Sequence, residues 1–347
     1  MLLSGRGNST MQRNSTNLRK DIAASKMAEV DDFPYHYNLF GLVVGSAIEL
    51  PELVPVDPTL PDVTIEFGKL PEKLRPRVGE KGYAITTRNQ CAFSIEDIGI
   101  YYIEEGFKIV FEKSEELCCT RSAADVRLWL LGSAFAALLH QRGILPLHVS
   151  AVKAPTGVWA FTGQSGEGKS TLAAYLHETF GWEFIADDVS VPVLRNNKAY
   201  LLPGPRKLKL WDDALRFLHY ENLELVRDLS NTEKYQIYMR ENRLVSPEKL
   251  KALVILESGA PDSQHERSMT PLTGIEGFQA CCNAIYRPRM VSLFMRTKNI
   301  VTDLAPIYNQ IEVYRFRRER SLEKFDKNIQ VLVRLMKGEK NSYFASS

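Results

Sequence analysis

The residues Gly163-Gln164-Ser165-Gly166-Glu167-Gly168-Lys169-Ser170 satisfy the spacing G-x-x-x-x-G-K-[ST]. Gly163, Gly166 and Gly168 permit backbone angles and close approaches that a Cβ forbids, so successive N–H groups can point into one concavity. A helix following the loop adds the positive end of its dipole, and the concavity then suits a polyphosphate. In such a loop Lys169 reaches the β- and γ-phosphates and the Ser170 hydroxyl ligates Mg²⁺. Thr171, the first residue past the motif, completes the nucleotide-binding set. A glycine-rich turn with no ligand is the plain alternative.

The second chemical signal is a doubled acid. Trp182-Glu-Phe-Ile-Ala-Asp187-Asp188 is an apolar run ending in two carboxylates, eighteen residues beyond Lys169. A metal held beside a phosphate loop needs a carboxylate directly or through water. One of the pair can face the metal while its neighbour accepts a proton from an incoming hydroxyl. The alternative is a surface turn in which Asp bonds its own backbone.

Both signals need elements to hold them. Leu145-Pro-Leu-His148-Val-Ser-Ala-Val152 and Val158-Trp-Ala-Phe-Thr162 are continuous apolar runs, as in strands buried on both faces, with Pro155-Thr-Gly157 a turn between them. The second leads into the phosphate loop, and Thr171-Leu-Ala-Ala-Tyr-Leu leads out as a helix. Upstream, Arg121 to Gln141 repeats apolar residues at helical spacing (Ala124, Leu128, Leu131, Phe135, Leu138, Leu139), with Gly143 placed to end the helix. From Tyr35 to about Lys113 the texture is that of short strands, with Pro51, Pro55, Pro58 and Pro61 in one loop.

The chain has 347 residues, about two domains at ~150 residues each. Three segments are expected: a disordered tail over 1–33, a small β-rich module over 34–120, and an α/β domain carrying the phosphate loop over 121–347. Hydrophobic residues make up 44% and charged residues 25%, which is ample for a packed core. A formal charge of +2 gives no support to nucleic-acid binding. No stretch reaches the ~18 apolar residues needed to span a bilayer, and Leu128 to Leu139 reads as a buried helix. The N-terminus has no apolar signal region, and Met11 and Met27 leave the start codon open. Five cysteines, two pairs of them adjacent (Cys118-Cys119 and Cys281-Cys282), form neither a disulfide framework nor a zinc site; a reducing cytoplasm fits.

The absence of an [NT]KxD tetrapeptide argues against an ordinary GTPase, and neither HRD nor DFG is present. The stretch from Ile144 to Leu194 resembles the HPr kinase/phosphorylase family. It is most similar to that family's shorter-motif relatives, including kinases that phosphorylate the C-terminal serine of lasso-peptide precursors. Leu201-Leu-Pro-Gly-Pro-Arg206-Lys-Leu-Lys-Leu-Trp211 and Lys234-Tyr235 are also similar to these relatives. The resemblance implies a P-loop kinase domain of the HPr kinase type, using ATP and Mg²⁺ on a serine hydroxyl of a peptide or protein. It further implies Asp187 as the base, Asp187 and Asp188 on the metal side with Asp188 also in contact with His148, and Arg206 and Lys234 at phosphate or substrate. Read alone, His148 is a core histidine, and Arg206 and Lys234 are solvated cations.

Thr171 stands where bifunctional members carry Glu, and no GRN-type second signature is present; both departures count against phosphorylase activity and against HPr as substrate. The family often forms homo-oligomers, but no pattern here fixes a number. Two rival readings stay open: a kinase for a small molecule such as an amino acid or sugar, and a nucleotide-gated scaffold without turnover. The rivals differ over the β-rich module: deletion of residues 1–120 should spare small-molecule turnover better than peptide turnover. Arg315-Phe-Arg-Arg-Glu-Arg320 is expected to be a solvated helix face with local ion pairs. Gln330 to Met336 is expected to be an amphipathic helix packing on the core.

Overall fold

The computed structural model describes residues 29–77, 84–114, 123–220, 225–227, 234–239, 244–259, 268–294 and 297–339. Most of the expected tail, together with Cys118 and Cys119, lies outside these residues.

The N-terminal part is one mixed sheet of eight strands: β1 (Tyr35–Leu39), β2 (Leu42–Ser46), β3 (Val54–Pro55), β4 (Val63–Phe67), β5 (Ala84–Thr87), β6 (Gln90–Ile95), β7 (Gly99–Glu104) and β8 (Lys108–Lys113). Their spatial order is β3-β1-β2-β4-β8-β7-β6-β5. β-Branched and aromatic residues supply its buried face, and tight turns such as Glu105-Gly106 join neighbouring strands. The prolines from Pro51 to Pro61 fall between β2 and β4, where only the two-residue β3 forms.

A long helix, α1 (Ala123–Gln141), follows, with a π-helical turn over Leu130–Ala134. Gly143, next after the C-cap Arg142, takes φ +75°, and Ile144 N–H closes on Leu139 O at 2.9 Å. α1 is the one helix among the described residues long and apolar enough to cross a membrane, and it is mostly buried inside the fold. Its apolar side and the N-terminal sheet share a core: Tyr101, Phe111 and Val44 pack with Leu130, Phe135 and Leu138, and Val189, Leu202 and Met290 join them.

Next come β9 (Ser150–Ala154), β10 (Gly157–Thr162), α2 (Lys169–Phe180), β11 (Glu183–Ala186), β12 (Val191–Arg195) and β13 (Lys198–Leu202). A hairpin-based sheet of β14 (Lys207–Trp211), β15 (Leu225–Arg227) and β16 (Lys234–Tyr238) carries the short α3 (Asp212–Phe217). β17 (Glu248–Ser258), β18 (Met269–Pro271), α4 (Gly274–Asn283), α5 (Pro288–Phe294), α6 (Thr297–Tyr308), β19 (Glu312–Arg318) and α7 (Phe325–Lys337) complete the chain. The central sheet runs β11-β9-β10-β17-β13-β12, and β19 pairs with β17. β17 is parallel to both β10 and β19, whereas β9 and β13 are antiparallel to their neighbours. The architecture is mixed α/β.

Two expectations are corrected. Leu145 to Val149 does not extend the strand: Leu147 makes only isolated bridges to Ser190 and Ile285, because Pro146 removes a ladder donor. Arg315 to Arg318 lies on strand β19, not on a helix face. Val313 and Phe316 are buried there, and Arg315 and Arg317 share Glu257 on the neighbouring strand. The C-terminal helix is as expected: Phe325, Ile329, Leu332 and Met336 bury one face against Trp159 and Leu172.

Candidate functional site

Strand β10 delivers Gly163 just past its C-terminal end, between β9 and β17, and α2 begins at Lys169. Between them the loop needs its glycines. At Gly163 (φ +147°) a Cβ would sit 2.6 Å from Leu256 O, and at Gly168 (φ +76°) it would sit 2.7 Å from Arg318 Nη2. The loop is therefore seated on β17 and on the end of β19. Lys169 Nζ donates to Gly163 O at 2.8 Å and Gln164 O at 3.1 Å. Burial lowers its pKa, with the carboxylates of Asp187 and Asp188 acting in the opposite direction.

Asp187 is the most enclosed acid of the site, at 2% exposure. Its Oδ1 accepts from the Ser170 hydroxyl at 2.8 Å and from the Ser150 hydroxyl of β9. Its Oδ2 accepts the Lys209 backbone N–H at 2.8 Å. Three elements thus converge on one carboxylate: α2, β9 and β14. Ser150 and Lys209 were not singled out from the sequence; Lys209 does fall within the Arg206 to Trp211 run.

Asp188 adopts φ +78°, a left-handed conformation that Asp tolerates better than most residues. The turn sends its side chain away from Asp187's shell. His148 Nδ1 lies 3.3 Å from Asp188 Oδ1 and 2.9 Å from its backbone carbonyl. Facing two oxygen acceptors, Nδ1 carries the ring proton and donates. Lys209 Nζ stands 3.4 Å from Oδ2. Burial pushes the Asp188 carboxyl upward, but Lys209 and His148 prevail and hold it well below the ordinary carboxylate range. His148 itself is fixed by its N–H to Ala284 O at 2.7 Å and by the Tyr286 ring, 5.6 Å away between centroids.

Two neighbouring spaces that share Gly166, Gly168, Thr171 and Trp211 adjoin the loop. The inner one, about 70 Å³, is lined by His148, Ser165, Lys169, Asp187, Asp188 and Lys234. Lys234 Nζ also rests 5.0 Å over the Trp211 ring. The outer cleft, about 820 Å³, runs from Gly166 to Gly168 past Trp211, Tyr235, Arg318, Arg320 and Phe325. Trp211 borders both. Thr171 likewise borders both, while the Glu167 carboxylate is taken by the Ser258 hydroxyl at 2.7 Å.

Arg206 departs from its expected place. Its guanidinium turns to the loop after β2, donating to Pro51 O at 2.9 Å and to Leu53 O. Arg318 and Arg320 enter unannounced. Arg318, 7% exposed, donates to Glu167 O at 3.0 Å and lies 5.1 Å over the Phe325 ring. Its Nε is buried without a hydrogen-bond partner among the described residues. The signal was present in the sequence: Val313-Tyr-Arg-Phe316 has strand formers, and a strand would bring the following arginines to the loop edge.

The donor set fits Mg²⁺. Among the described residues no group of three or more His, Cys, Asp or Glu is arranged as a metal cage. Mg²⁺ beside a phosphate loop does not require one, because it takes one or two protein oxygens and completes its shell with water and phosphate. Ser170 Oγ and Asp187 Oδ1 are such oxygens.

No protein-family model matches the chain, and no curated protein matches it. Among solved structures it is similar to the HPr(Ser) kinase/phosphatase from Coxiella burnetii, with 12% identity and a TM-score of 0.28. That similarity covers 56% of this chain and 99% of the other.

Proposed function

We propose that the chain is an ATP- and Mg²⁺-dependent kinase that transfers the γ-phosphoryl group to a serine hydroxyl of a peptide or protein. A C-terminal serine of a lasso-peptide precursor belongs to that substrate class. The observation that carries the proposal is the hydrogen bond from the loop's Ser170 to Asp187, with Asp188 beside it lining the inner space.

Gly163 to Gly168 would wrap the β- and γ-phosphates with backbone N–H groups, and Lys169 would move from the loop carbonyls onto phosphate oxygens. Ser170 and Asp187 would hold Mg²⁺, whose charge, when bound, offsets that of the β- and γ-oxygens. Asp187 already accepts three hydrogen bonds, and its remaining lone-pair position would go to Mg²⁺, which leaves it poorly placed to serve an acceptor as well. Asp188 opens on the inner space, so it is the carboxylate that would orient the acceptor hydroxyl and take its proton. Depressed basicity makes it weak in proton abstraction, so positioning would account for most of its effect. His148 and Lys209 would fix its direction, and Lys234 would meet the transferring phosphoryl group. Thr171, Gln164, Ser165 and Glu167 would complete the nucleotide's surroundings, and the nucleoside half would lie in the outer cleft with Trp211 and Arg320.

The proposal places nucleotide and acceptor with the protein, and neither nucleic acid nor membrane. Its experiment is equilibrium binding of Mg-ADP to the intact chain and to Lys169→Ala. The proposal expects a loss of affinity of about tenfold or more in the variant. Equal affinity in both proteins would remove its foundation.

A further inference from the structure

The sheet formed by β14, β15 and β16 has no ladder to either large sheet among the described residues. It nevertheless carries Lys209, Trp211 and Lys234, which line the inner space. Side-chain alternation puts Leu208 and Leu210 into the core and Lys207, Lys209 and Trp211 on the other face. Leu208, Leu210 and Ile237 hold this hairpin against the core it shares with α2, and where Lys207 pairs with Tyr238 a second contact is made with the loop after β2 and with α1.

The contact is built from enclosed groups. Glu52, in the loop after β2, has only 2% of its side chain exposed. Arg127 of α1 donates to both of its carboxylate oxygens, at 2.8 and 3.1 Å, through Nε. The same guanidinium donates through Nη2 to the Tyr238 hydroxyl at 2.9 Å, and Tyr238 is the register partner of Lys207 across the hairpin. The backbone closes the same junction: Arg206 N–H donates to Glu52 O at 2.6 Å, and Met239 N–H donates to Arg206 O at 2.9 Å. Arg206's side chain holds the carbonyls on either side of Glu52. A buried ion pair of this kind is poor evidence for net stability but good evidence for a fixed geometry, since breaking one half leaves a bare charge.

We infer that the loop around Glu52 is a positioning element of the phosphoryl-transfer site, acting through Arg127 and Tyr238 on the hairpin that carries Lys209 and Lys234. The inference rests on the kinase reading for its consequence, not for its structure. Glu52, Arg127 and Tyr238 reach no site group directly. They set where Lys209 meets Asp187 and Asp188, two residues along the strand from the Lys207–Tyr238 pair. On this account the N-terminal sheet is neither a lid nor a detachable recognition module.

The test uses the full chain with Glu52→Gln and with Tyr238→Phe. The second change removes one hydroxyl and covers the event that the first does not fold. Amide hydrogen exchange is read by segment, and Mg-ADP binding and Lys169-dependent turnover on a panel of serine peptides are read beside it. Exchange over 207–211 and 234–238 is expected to rise about tenfold, with the 163–170 loop little changed. Mg-ADP affinity should stay within about twofold, and turnover should fall about tenfold at constant KM for ATP, the pattern of a lost transition-state interaction. Unchanged exchange in the hairpin of a folded variant overturns the inference. So does an equal rise throughout the chain, or a loosened hairpin with full turnover. Lys169→Ala keeps the two ideas apart: if it binds Mg-ADP like the parent, the kinase reading fails, while the exchange result on the hairpin still decides the mechanical link.

Discussion

The Ser170 hydroxyl donates to Asp187 Oδ1 at 2.8 Å, tying the first turn of α2 to the end of β11. On the proposed function that bond separates the roles of two adjacent acids. Asp187 is drawn inward by Ser170, Ser150 and the Lys209 amide, while the left-handed turn at Asp188 sends the second carboxylate towards His148. Sequence reasoning gave the base to Asp187 and counted both Asp187 and Asp188 at the metal; the proposed function keeps Asp187 for the metal and gives the acceptor proton to Asp188 instead.

This assignment predicts different losses. Asp187→Asn places an amide where three donors converge, so Mg-dependent ADP binding should weaken about tenfold or more, and turnover should go with it. Asp188→Asn should hold Mg-ADP within about threefold but lose about a hundredfold or more in transfer. Calorimetric binding and single-turnover transfer on both variants separate the roles. Transfer surviving in Asp188→Asn would return the base to Asp187.

A backbone test concerns Gly163. Alanine there must hold φ +147° with its Cβ pressed against Leu256 O. We expect Gly163→Ala to lose about 1–3 kcal/mol of stability together with Mg-ADP binding. Thermal melting with and without Mg-ADP checks this: the ligand-induced rise in Tm should disappear.

Acid sensitivity should trace in part to His140. It is fully buried on α1, with Nε2 2.9 Å from Tyr286 O, and burial depresses its pKa to about 4 despite that carbonyl. A histidine below its unfolded value of ~6.5 binds fewer protons in the folded state, so stability is whole above that value and falls as pH drops towards the folded pKa. The span corresponds to about 3 kcal/mol. Denaturant melts from pH 7 to pH 4.5 should show the decline, and His140→Gln should flatten it.

The shared core makes a prediction about truncation. Removing residues before Ala123 would strip Tyr101, Phe111 and Val44 from Leu130, Phe135 and Leu138. The remainder should lose near-ultraviolet circular dichroism and bind hydrophobic dye, as a chain with an opened core does. A well-folded truncated protein would contradict this, and would restore the independent module expected from the change of texture near residue 120.

What could be read from the sequence was whatever lies close together along it. The phosphate loop, the doubled acid eighteen residues on and the strand bias before Lys113 are local patterns. The pairing of His148 with Asp188 came through a resemblance, and the structure does bring the two together. Arg206 was misplaced because its partners, Pro51 and Leu53, sit some 150 residues away; no local pattern names them. Arg318 was lost because the charges around it outweighed Val313, Tyr314 and Phe316, which mark a strand. Lys209 needed the hairpin register, which only the fold supplies.

The most direct test is phosphoryl transfer from radiolabelled Mg-ATP to serine-ended peptides and small hydroxyl acceptors, with the intact chain and with Lys169→Ala, products being identified by intact mass. The account predicts Lys169-dependent label on a peptide serine. Label confined to small molecules would contradict the acceptor class, and tight Mg-ATP binding with no label on any acceptor would contradict the kinase itself.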